Sequence, residues 1–104
     1  MNIVALTTCH NRRDLTLASL GDLHTQDLPA DVSLSITIVD DGSTDGTAEA
    51  VRDSYPGVEI IKGDGNLYWA GGMRHGWEKS VQHQKFDALF VFNDFENNLL
   101  DINT

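Results

Sequence analysis

The sequence contains a single cysteine, Cys9, among its 104 residues. A lone cysteine forms no internal disulfide and no metal centre built from several thiolates. We therefore expect a reducing compartment, with Cys9 as a small buried apolar residue. The alternative, a nucleophilic Cys9, lacks an evident base partner in the sequence.

Long apolar runs are also absent. No stretch approaches the ~18–20 apolar residues of a membrane span, and the first residues meet Arg12, Arg13 and Asp14 too early for a signal peptide. We expect no membrane span, and a cytoplasmic protein that is either free or peripheral at the inner face of the membrane.

Basic residues are scarce. Seven Lys and Arg stand against 16 Asp and Glu, which gives a formal charge of −9. The basic residues are scattered along the chain and form no patch that would suit a phosphate backbone, so we expect no nucleic-acid partner. The hydrophobic content of 40% is typical of a folded globular chain.

Four short apolar runs predict strands, and the stretches between them predict three helices. The predicted strands are 3–6, 34–39, 58–61 and 88–92, and the predicted helices run from 14 to near 28, over 47–55 and from about 72 to 84. Ser43, Thr44 and Asp45 are candidate caps of the second helix. The alternation predicts an α/β fold, a Rossmann-like, open, mainly parallel sheet with helices on both faces.

Polar residues follow every predicted strand, at 7–12, 40–46, 63–66 and 93–96. The carboxyl ends of parallel strands meet at one edge of a sheet, where helix N-termini point amide hydrogens at an anion. The sequence therefore predicts that a polar ligand binds at this edge.

Acidic residues at two strand ends indicate what that ligand contains. Asp94 and Glu96 could hold a divalent cation on a diphosphate, or they could satisfy backbone donors in a turn. Asp40 and Asp41 stand where dinucleotide enzymes place a ribose-binding acid. The alternative there is a tight turn with Gly42 at positive φ.

Single side chains near this edge leave further alternatives open. His10 could stack on a base or only end the first strand. Tyr68 and Trp69 could flank a sugar or a base, but aromatic residues beside glycines more often cover the core. Arg74 could bind a phosphate or be a surface residue of the third helix.

Several nucleotide-binding motifs are missing. The loop at 7–13 contains no glycine, although a nicotinamide-dependent enzyme needs Gly-x-Gly-x-x-Gly after its first strand. No Gly-Lys-Ser/Thr is present, which excludes a P-loop kinase or ATPase. Residues 41–46 begin like a calcium loop, but Arg52 stands where the bidentate Glu is required.

Two motifs resemble family 2 of the glycosyltransferases, which has the GT-A fold. Residues 4–12 (VALTTCHNR) resemble the family's first strand and Thr-x-aromatic-Asn-Arg loop, with His10 in place of the aromatic residue. Residues 38–47 (IVDDGSTDGT) match the family's Val-Asp-Asp-Gly-Ser-Thr-Asp-Gly-Thr signature without a departure. The resemblance covers the chain from Ile3 to about Leu100.

Two further motifs are similar to the family pattern but depart from it. Residues 66–76 (NLYWAGGMRHG) resemble Asn-x-Gly-Phe-Ala-Gly-Gly-Asn-Asn-x-Gly, with Tyr68 for a glycine and Met73 with Arg74 for two asparagines. Variants with paired aromatics, which include rhamnosyltransferase-like members, are the closest. Residues 93–96 (NDFE) look like the Asp-x-Asp metal motif, with Glu96 for an aspartate.

The resemblance implies a donor site for a UDP-, dTDP- or GDP-linked sugar. It places the nucleobase of the donor among Thr8, His10 and Asp41. The diphosphate would bind Mg²⁺ or Mn²⁺ held by Asp94 and Glu96. The implied nucleotide-sugar-binding residues are Thr7, Thr8, His10, Asn11, Arg12, Asp40, Asp41, Gly42, Ser43, Asn66, Gly72, Arg74 and Asp94.

The implied reaction is inverting transfer of the sugar to a hydroxyl of a glycan or lipid-linked acceptor, in cell-surface polysaccharide biosynthesis. We expect a single domain over 1–104, truncated before the acceptor half that would carry the catalytic base, so no base is assigned. A remnant domain without metal binding is an alternative, because Tyr68 and Glu96 depart from the pattern. A nucleotidyltransferase is a further alternative, but it would have only Arg12 and Arg13 to grip a triphosphate.

Overall fold

Strands and helices alternate along the chain in a computed structural model that describes residues 1–83 and 85–92. The elements are β1 (Asn2–Cys9), α1 (Arg13–His24), β2 (Ser33–Asp40), α2 (Thr47–Ser54), β3 (Glu59–Lys62), α3 (Tyr68–His83) and β4 (Ala88–Val91). Within these residues every strand pair is parallel, in the order β3-β2-β1-β4. The predicted Rossmann-like α/β sheet is confirmed.

β1 is one of the two inner strands of this sheet. It pairs with β2 from Asn2 opposite Ser33 to Cys9 opposite Asp40, and with β4 on its other side. Just before β4, the Asn2 amide donates to the Asp87 carboxylate and the Asp87 amide donates to the Asn2 carbonyl, both at 2.7 Å. The second residue of the chain is therefore fixed by a residue 85 positions later.

One face of the sheet packs against α1 and α2. Ala5 and Cys9 of β1 lie in a cluster of buried apolar side chains from both helices and all four strand regions. The fully buried members of that cluster include Ala5, Leu20, Ile38, Val51 and Phe92. Burial of one such large side chain stabilises the fold by about 1.5–3 kcal/mol. Cys9 is 2% exposed, which confirms its predicted role as a buried apolar residue.

The other face packs against the smallest residues of α3. Gly72, Gly76 and Ser80 recur every fourth residue and are all buried. A β-carbon at Gly76 would lie 2.6 Å from Leu6 Cδ1 and 2.9 Å from Val39 Cγ2. Glycine at this position lets the helix approach the sheet more closely than any other residue would.

The tyrosine and both tryptophans of α3, together with Val81, are left exposed. Trp77 is 45% exposed and Val81 is 53% exposed. Trp77 makes an edge-to-face contact with Phe86, with ring centroids 5.7 Å apart. α3 therefore reverses the usual amphipathic pattern, in which large apolar side chains face the sheet.

Three predicted boundaries differ from the structure by three residues or more. α3 begins at Tyr68 rather than near Gly72, so the glycines lie inside the helix. β1 extends to Cys9 rather than ending at Leu6, because β2 pairs with its whole length. α1 ends at His24, short of the predicted end near 28.

No helix within residues 1–83 and 85–92 has both the length and the apolar character needed to span a bilayer.

We expect Gly76→Ala to destabilise the protein, because its new methyl group would collide with Leu6 and Val39, two fully buried side chains. The loss in the free energy of unfolding, measured by urea denaturation, should be about 1–3 kcal/mol.

The matched control is Gly71→Ala in the same helix, where the nearest heavy atom to the new β-carbon is 3.4 Å away. It should gain about 0.5–1 kcal/mol, because alanine favours a helix over glycine. Equal stability of the two variants would contradict the close packing of α3.

Candidate functional site

The carboxylate of Asp41 connects the loops at the carboxyl edge of the sheet. Asp41 follows β2 directly and is 2% exposed. Its Oδ1 accepts a hydrogen bond from the Gly65 amide at 2.8 Å, and its Oδ2 accepts one from the Tyr68 amide at 2.9 Å. The Leu67 amide donates to both oxygens, at 3.3 and 3.1 Å. A carboxylate is tolerated out of water when hydrogen bonds replace its hydration, and the N-terminus of α3 adds the favourable end of a helix dipole.

The turn after β2 is tight, which confirms one of the two predicted alternatives. Gly42 has a φ of +76°, and a β-carbon on it would lie 2.8 Å from Gly65 Cα. Asp40 is 6% exposed, and its Oδ1 accepts the Ser43 amide at 3.1 Å. The Asp40 carbonyl accepts the Gly63 amide at 2.9 Å, so the turn is also joined to the loop after β3.

The same turn is joined to the loop after β1. The Asn11 amide donates to Ser43 Oγ at 2.9 Å, and Asn11 Oδ1 accepts the Thr44 amide at 2.7 Å. The Arg13 amide, at the start of α1, donates to Asp45 Oδ2 at 3.0 Å. Asn11 adopts a φ of +51°, a conformation that asparagine tolerates.

The start of α2 corrects the predicted caps. Gly46, with a φ of +82°, directly precedes the helix, and neither Ser43 nor Thr44 caps it, because both bond to Asn11 instead. Asp45 does contact the helix start: its Oδ1 accepts the Thr47 amide at 3.1 Å and also the Thr47 hydroxyl.

These contacts lower the pKa of Asp45. Partial desolvation raises the pKa of this carboxyl, but hydrogen bonds from the Thr47 hydroxyl and from the Arg13 and Thr47 amides outweigh that effect. The carboxylate is therefore held in its charged form between the first turns of α1 and α2.

The ring of His10 is held in one orientation. Its Nδ1 lies 2.6 Å from the Asp41 carbonyl oxygen. A carbonyl only accepts, so Nδ1 carries the proton and donates. In the neutral ring Nε2 is then an acceptor, and Asn11 Nδ2 lies 3.3 Å from it. His10 thus presents a positioned aromatic ring at an exposed edge of the protein.

A cleft of about 220 Å³ opens at this edge. Four predicted site residues, Thr8, His10, Arg12 and Asp41, meet in its wall. The full lining consists of Thr8, Cys9, His10, Arg12, Asp41, Gly65, Tyr68 and Trp69.

Thr8 contributes a largely buried side chain to this wall. It is 7% exposed, and its Oγ1 has no hydrogen-bond partner among the described residues. Gly72 packs directly on it, so that a β-carbon there would collide with the threonine side chain. Buried hydroxyl groups are normally paired. The Thr8 oxygen is itself buried beneath Gly72, like the equally unpaired hydroxyl oxygens of Thr7, Ser19 and Ser80, so it is not open to the cleft.

The other predicted site residues lie outside the cleft lining. They are Thr7, Asn11, Asp40, Gly42, Ser43, Asn66, Gly72 and Arg74. Thr7 is fully buried on the strand face that also carries Ala5 and Cys9. Asn66 and Arg74 are exposed.

The predicted metal ligands Asp94 and Glu96 lie outside the described residues. Within residues 1–83 and 85–92, no group of three His, Cys, Asp or Glu side chains could hold a metal ion.

Tyr68 and Trp69 line the cleft, so the expectation that they cover the core is wrong. Tyr68 is 74% exposed and Trp69 is 42% exposed. The sequence held a signal for this position: both residues lie within three positions of the polar segment 63–66, which was predicted to lie at the ligand edge.

Comparison with known proteins gives a family and a fold. The profile described as "Glycosyl transferase family 2" matches residues 5–93. The chain is also similar to a mannosyltransferase from Pyrobaculum calidifontis, solved in complex with GDP-Man and Mn²⁺, with a TM-score of 0.69 and 23% identity over 89% of this chain. The chain spans 27% of that mannosyltransferase. No curated protein matches it.

We expect Asp41→Asn to destabilise the protein by about 1–3 kcal/mol, because an amide NH₂ would face backbone donors in a buried site. Urea denaturation measures the loss. The control is Asp64→Asn, an exposed residue whose Oδ1 accepts the Asn66 amide at 2.8 Å and whose replacement can still accept. Similar losses in both variants would contradict the role of Asp41 as the connection between loops.

We expect Asp45→Ala to lose about 1 kcal/mol near neutral pH, because it removes hydrogen bonds to the starts of two helices. The loss should shrink on acidification. A carboxyl whose folded-state pKa is lowered stabilises the fold above its unfolded pKa, and this contribution disappears as pH falls through the folded pKa.

Thermal unfolding of both proteins from about pH 7 to about pH 3 measures this dependence. Asp53→Ala, which removes the same charge from an exposed position of α2, is the control and should show no such convergence. A stability difference for Asp45→Ala that is independent of pH would contradict the assignment.

Proposed function

The chain belongs to glycosyl transferase family 2, and on that basis we propose that its cleft binds the nucleoside diphosphate of a nucleotide sugar, the donor in glycosyl transfer. The observation that carries the proposal is the meeting of Thr8, His10, Arg12 and Asp41 in one cleft at the carboxyl ends of β1 and β2. In open parallel sheets this edge is where ligands bind.

The cleft offers the contacts that a nucleobase needs, a flat apolar face and a few fixed polar groups. The His10 ring, fixed by the Asp41 carbonyl, provides the flat face. The Thr8 side chain lies in the same wall. The Asp41 carboxylate is already fixed by three amides, so a base would meet an acceptor that needs no rearrangement.

A diphosphate is an anion, and the chain as a whole carries a formal charge of −9. The cleft therefore needs a local positive charge to bind it. Arg12 lines the cleft, and a guanidinium matches the geometry of phosphate oxygens. Arg12 therefore takes the phosphate side of the ligand in this proposal.

A divalent cation, Mg²⁺ or Mn²⁺, is part of the proposal, with Asp94 and Glu96 as its ligands. Carboxylate oxygens suit both ions. The two residues follow Phe92 in the sequence. Phe92 comes directly after β4, and its amide donates to the Leu6 carbonyl at 3.1 Å. The cation would neutralise charge on the departing diphosphate. The Mn²⁺ in the similar mannosyltransferase supports this part.

We further propose that the reaction is an inverting transfer to a hydroxyl of a glycan or lipid-linked acceptor in cell-surface polysaccharide biosynthesis. The paired aromatics Tyr68 and Trp69, which rhamnosyltransferase-like members share, make rhamnose a candidate sugar. The site of action is the cytoplasm or the inner face of the membrane.

Calorimetric titration of the chain with GDP, UDP and dTDP, each with and without Mn²⁺, tests the proposal. One diphosphate should bind, more tightly with Mn²⁺, and Asp94→Ala should remove the effect of Mn²⁺. His10→Ala should weaken binding by roughly 5- to 150-fold, because it removes a ring contact with the base.

His24→Ala is the matched control. His10 lies just before the start of α1, whereas His24 is the last residue of that helix and contacts the Leu20 carbonyl at 2.7 Å. It should leave the affinity unchanged. A folded chain that binds none of the three diphosphates would contradict the proposal. Tighter binding of a nucleoside triphosphate than of the matching nucleotide sugar would favour nucleotidyl transfer instead.

A further inference from the structure

Tyr68, the first residue of α3, has a backbone conformation that tyrosine disfavours. Its φ is +57°, in the left-handed region where a β-carbon crowds the following carbonyl. Among the described residues the one other non-glycine with positive φ is Asn11, and asparagine tolerates it. Tyrosine at this position therefore lowers stability relative to glycine.

The fold requires this conformation but not the tyrosine side chain. The Tyr68 amide donates to Asp41 Oδ2 at 2.9 Å, and the Leu67 amide donates to the same oxygen at 3.1 Å. Both contacts use backbone groups that every residue except proline supplies. Glycine at position 68 would keep them without strain.

Core packing does not offset the strain. Tyr68 is 74% exposed, the highest fraction among the large apolar side chains that are exposed in residues 1–83 and 85–92. A ring in that position buries little apolar surface, so it gains little from the hydrophobic effect. Backbone strain that the fold itself does not need is a feature of functional sites.

The ring lies where a ligand would meet it, in the wall of the cleft with Thr8, His10 and Trp69. The cleft, at about 220 Å³, is smaller than the ~300–1,000 Å³ of pockets that enclose a whole drug-sized ligand. It can therefore take one planar ring system while the rest of a ligand extends along the surface. Aromatic side chains stack on nucleobases because every base has a π-face.

We propose that Tyr68 contacts the ligand directly, with its ring stacked on the nucleobase of the nucleoside diphosphate. The inference rests on the proposed function and adds a specific contact residue to it. Asp41 positions this contact: by accepting the amide of Tyr68, it holds the residue that carries the ring at the cleft wall.

Tyr68→Gly separates stability from binding, because it relieves the strain and removes the ring in one change. By thermal unfolding its Tm should equal or exceed that of the wild type. Its Kd for the diphosphate that the wild type binds should rise by roughly 5- to 150-fold, which corresponds to about 1–3 kcal/mol of stacking.

Two further variants control for other effects. Tyr68→Phe keeps the ring and should bind within about twofold of the wild type, because stacking uses the π-face. Trp77→Ala removes another exposed aromatic residue of α3, outside the cleft lining, and should leave the Kd unchanged.

Titrating both the diphosphate and the matching nucleotide sugar locates the contact. A ring that stacks on the base predicts the same loss of affinity for both ligands in Tyr68→Gly. A loss confined to the nucleotide sugar would overturn the nucleobase assignment. An unchanged Kd for both ligands, or a Tm well below that of the wild type, would overturn the inference while the proposed function stands. A wild-type chain that binds no diphosphate would overturn both.

Discussion

The hydrogen bonding of one buried carboxylate, that of Asp41, determines the shape of the carboxyl edge. Moving a carboxylate out of water costs several kcal/mol unless hydrogen bonds replace its hydration. The amides of Gly65, Leu67 and Tyr68 replace it here. Gly65 and Leu67 belong to the loop after β3, and Tyr68 is the first residue of α3, so the turn after β2, that loop and the helix start are one unit. The cleft takes its form from that unit, since Asp41, Gly65 and Tyr68 are all in its wall.

The segment after β2, which resembles the family's most specific signature, bonds mainly to the protein itself. Asp40 accepts the amide of Ser43, Ser43 and Thr44 bond to Asn11, and Asp45 bonds to the starts of α1 and α2. Short polar side chains suit this work because they satisfy nearby backbone groups. The surface left for a ligand belongs largely to residues from other segments, such as Thr8, His10 and Tyr68.

The sequence predicted the order and type of every element in the described residues, since each strand is a short apolar run bounded by turn residues. It could not predict where α3 begins. Gly71 and Gly72 resemble helix breakers, whereas the helix is started by Asp41, 27 positions before Tyr68. Six of the eight cleft residues, all but Tyr68 and Trp69, lie in the predicted strand-end segments 7–12, 40–46 and 63–66. The exposure of Tyr68 was not predictable, because its left-handed backbone accompanies a tertiary contact that periodicity does not reveal.

The inner position of β1 has a consequence for biosynthesis. β1 leaves the ribosome well before β4, its partner on one side, and Asn2 bonds to Asp87, 85 residues later. At translation rates of about 5–20 residues per second, synthesis of that length of chain takes about 4–17 s. During this interval the edge of β1 that will pair with β4 has unpaired backbone groups. Strands with such an edge associate with other chains. The time for which this edge of β1 is open to aggregation is therefore set by the length of chain between Asn2 and Asp87.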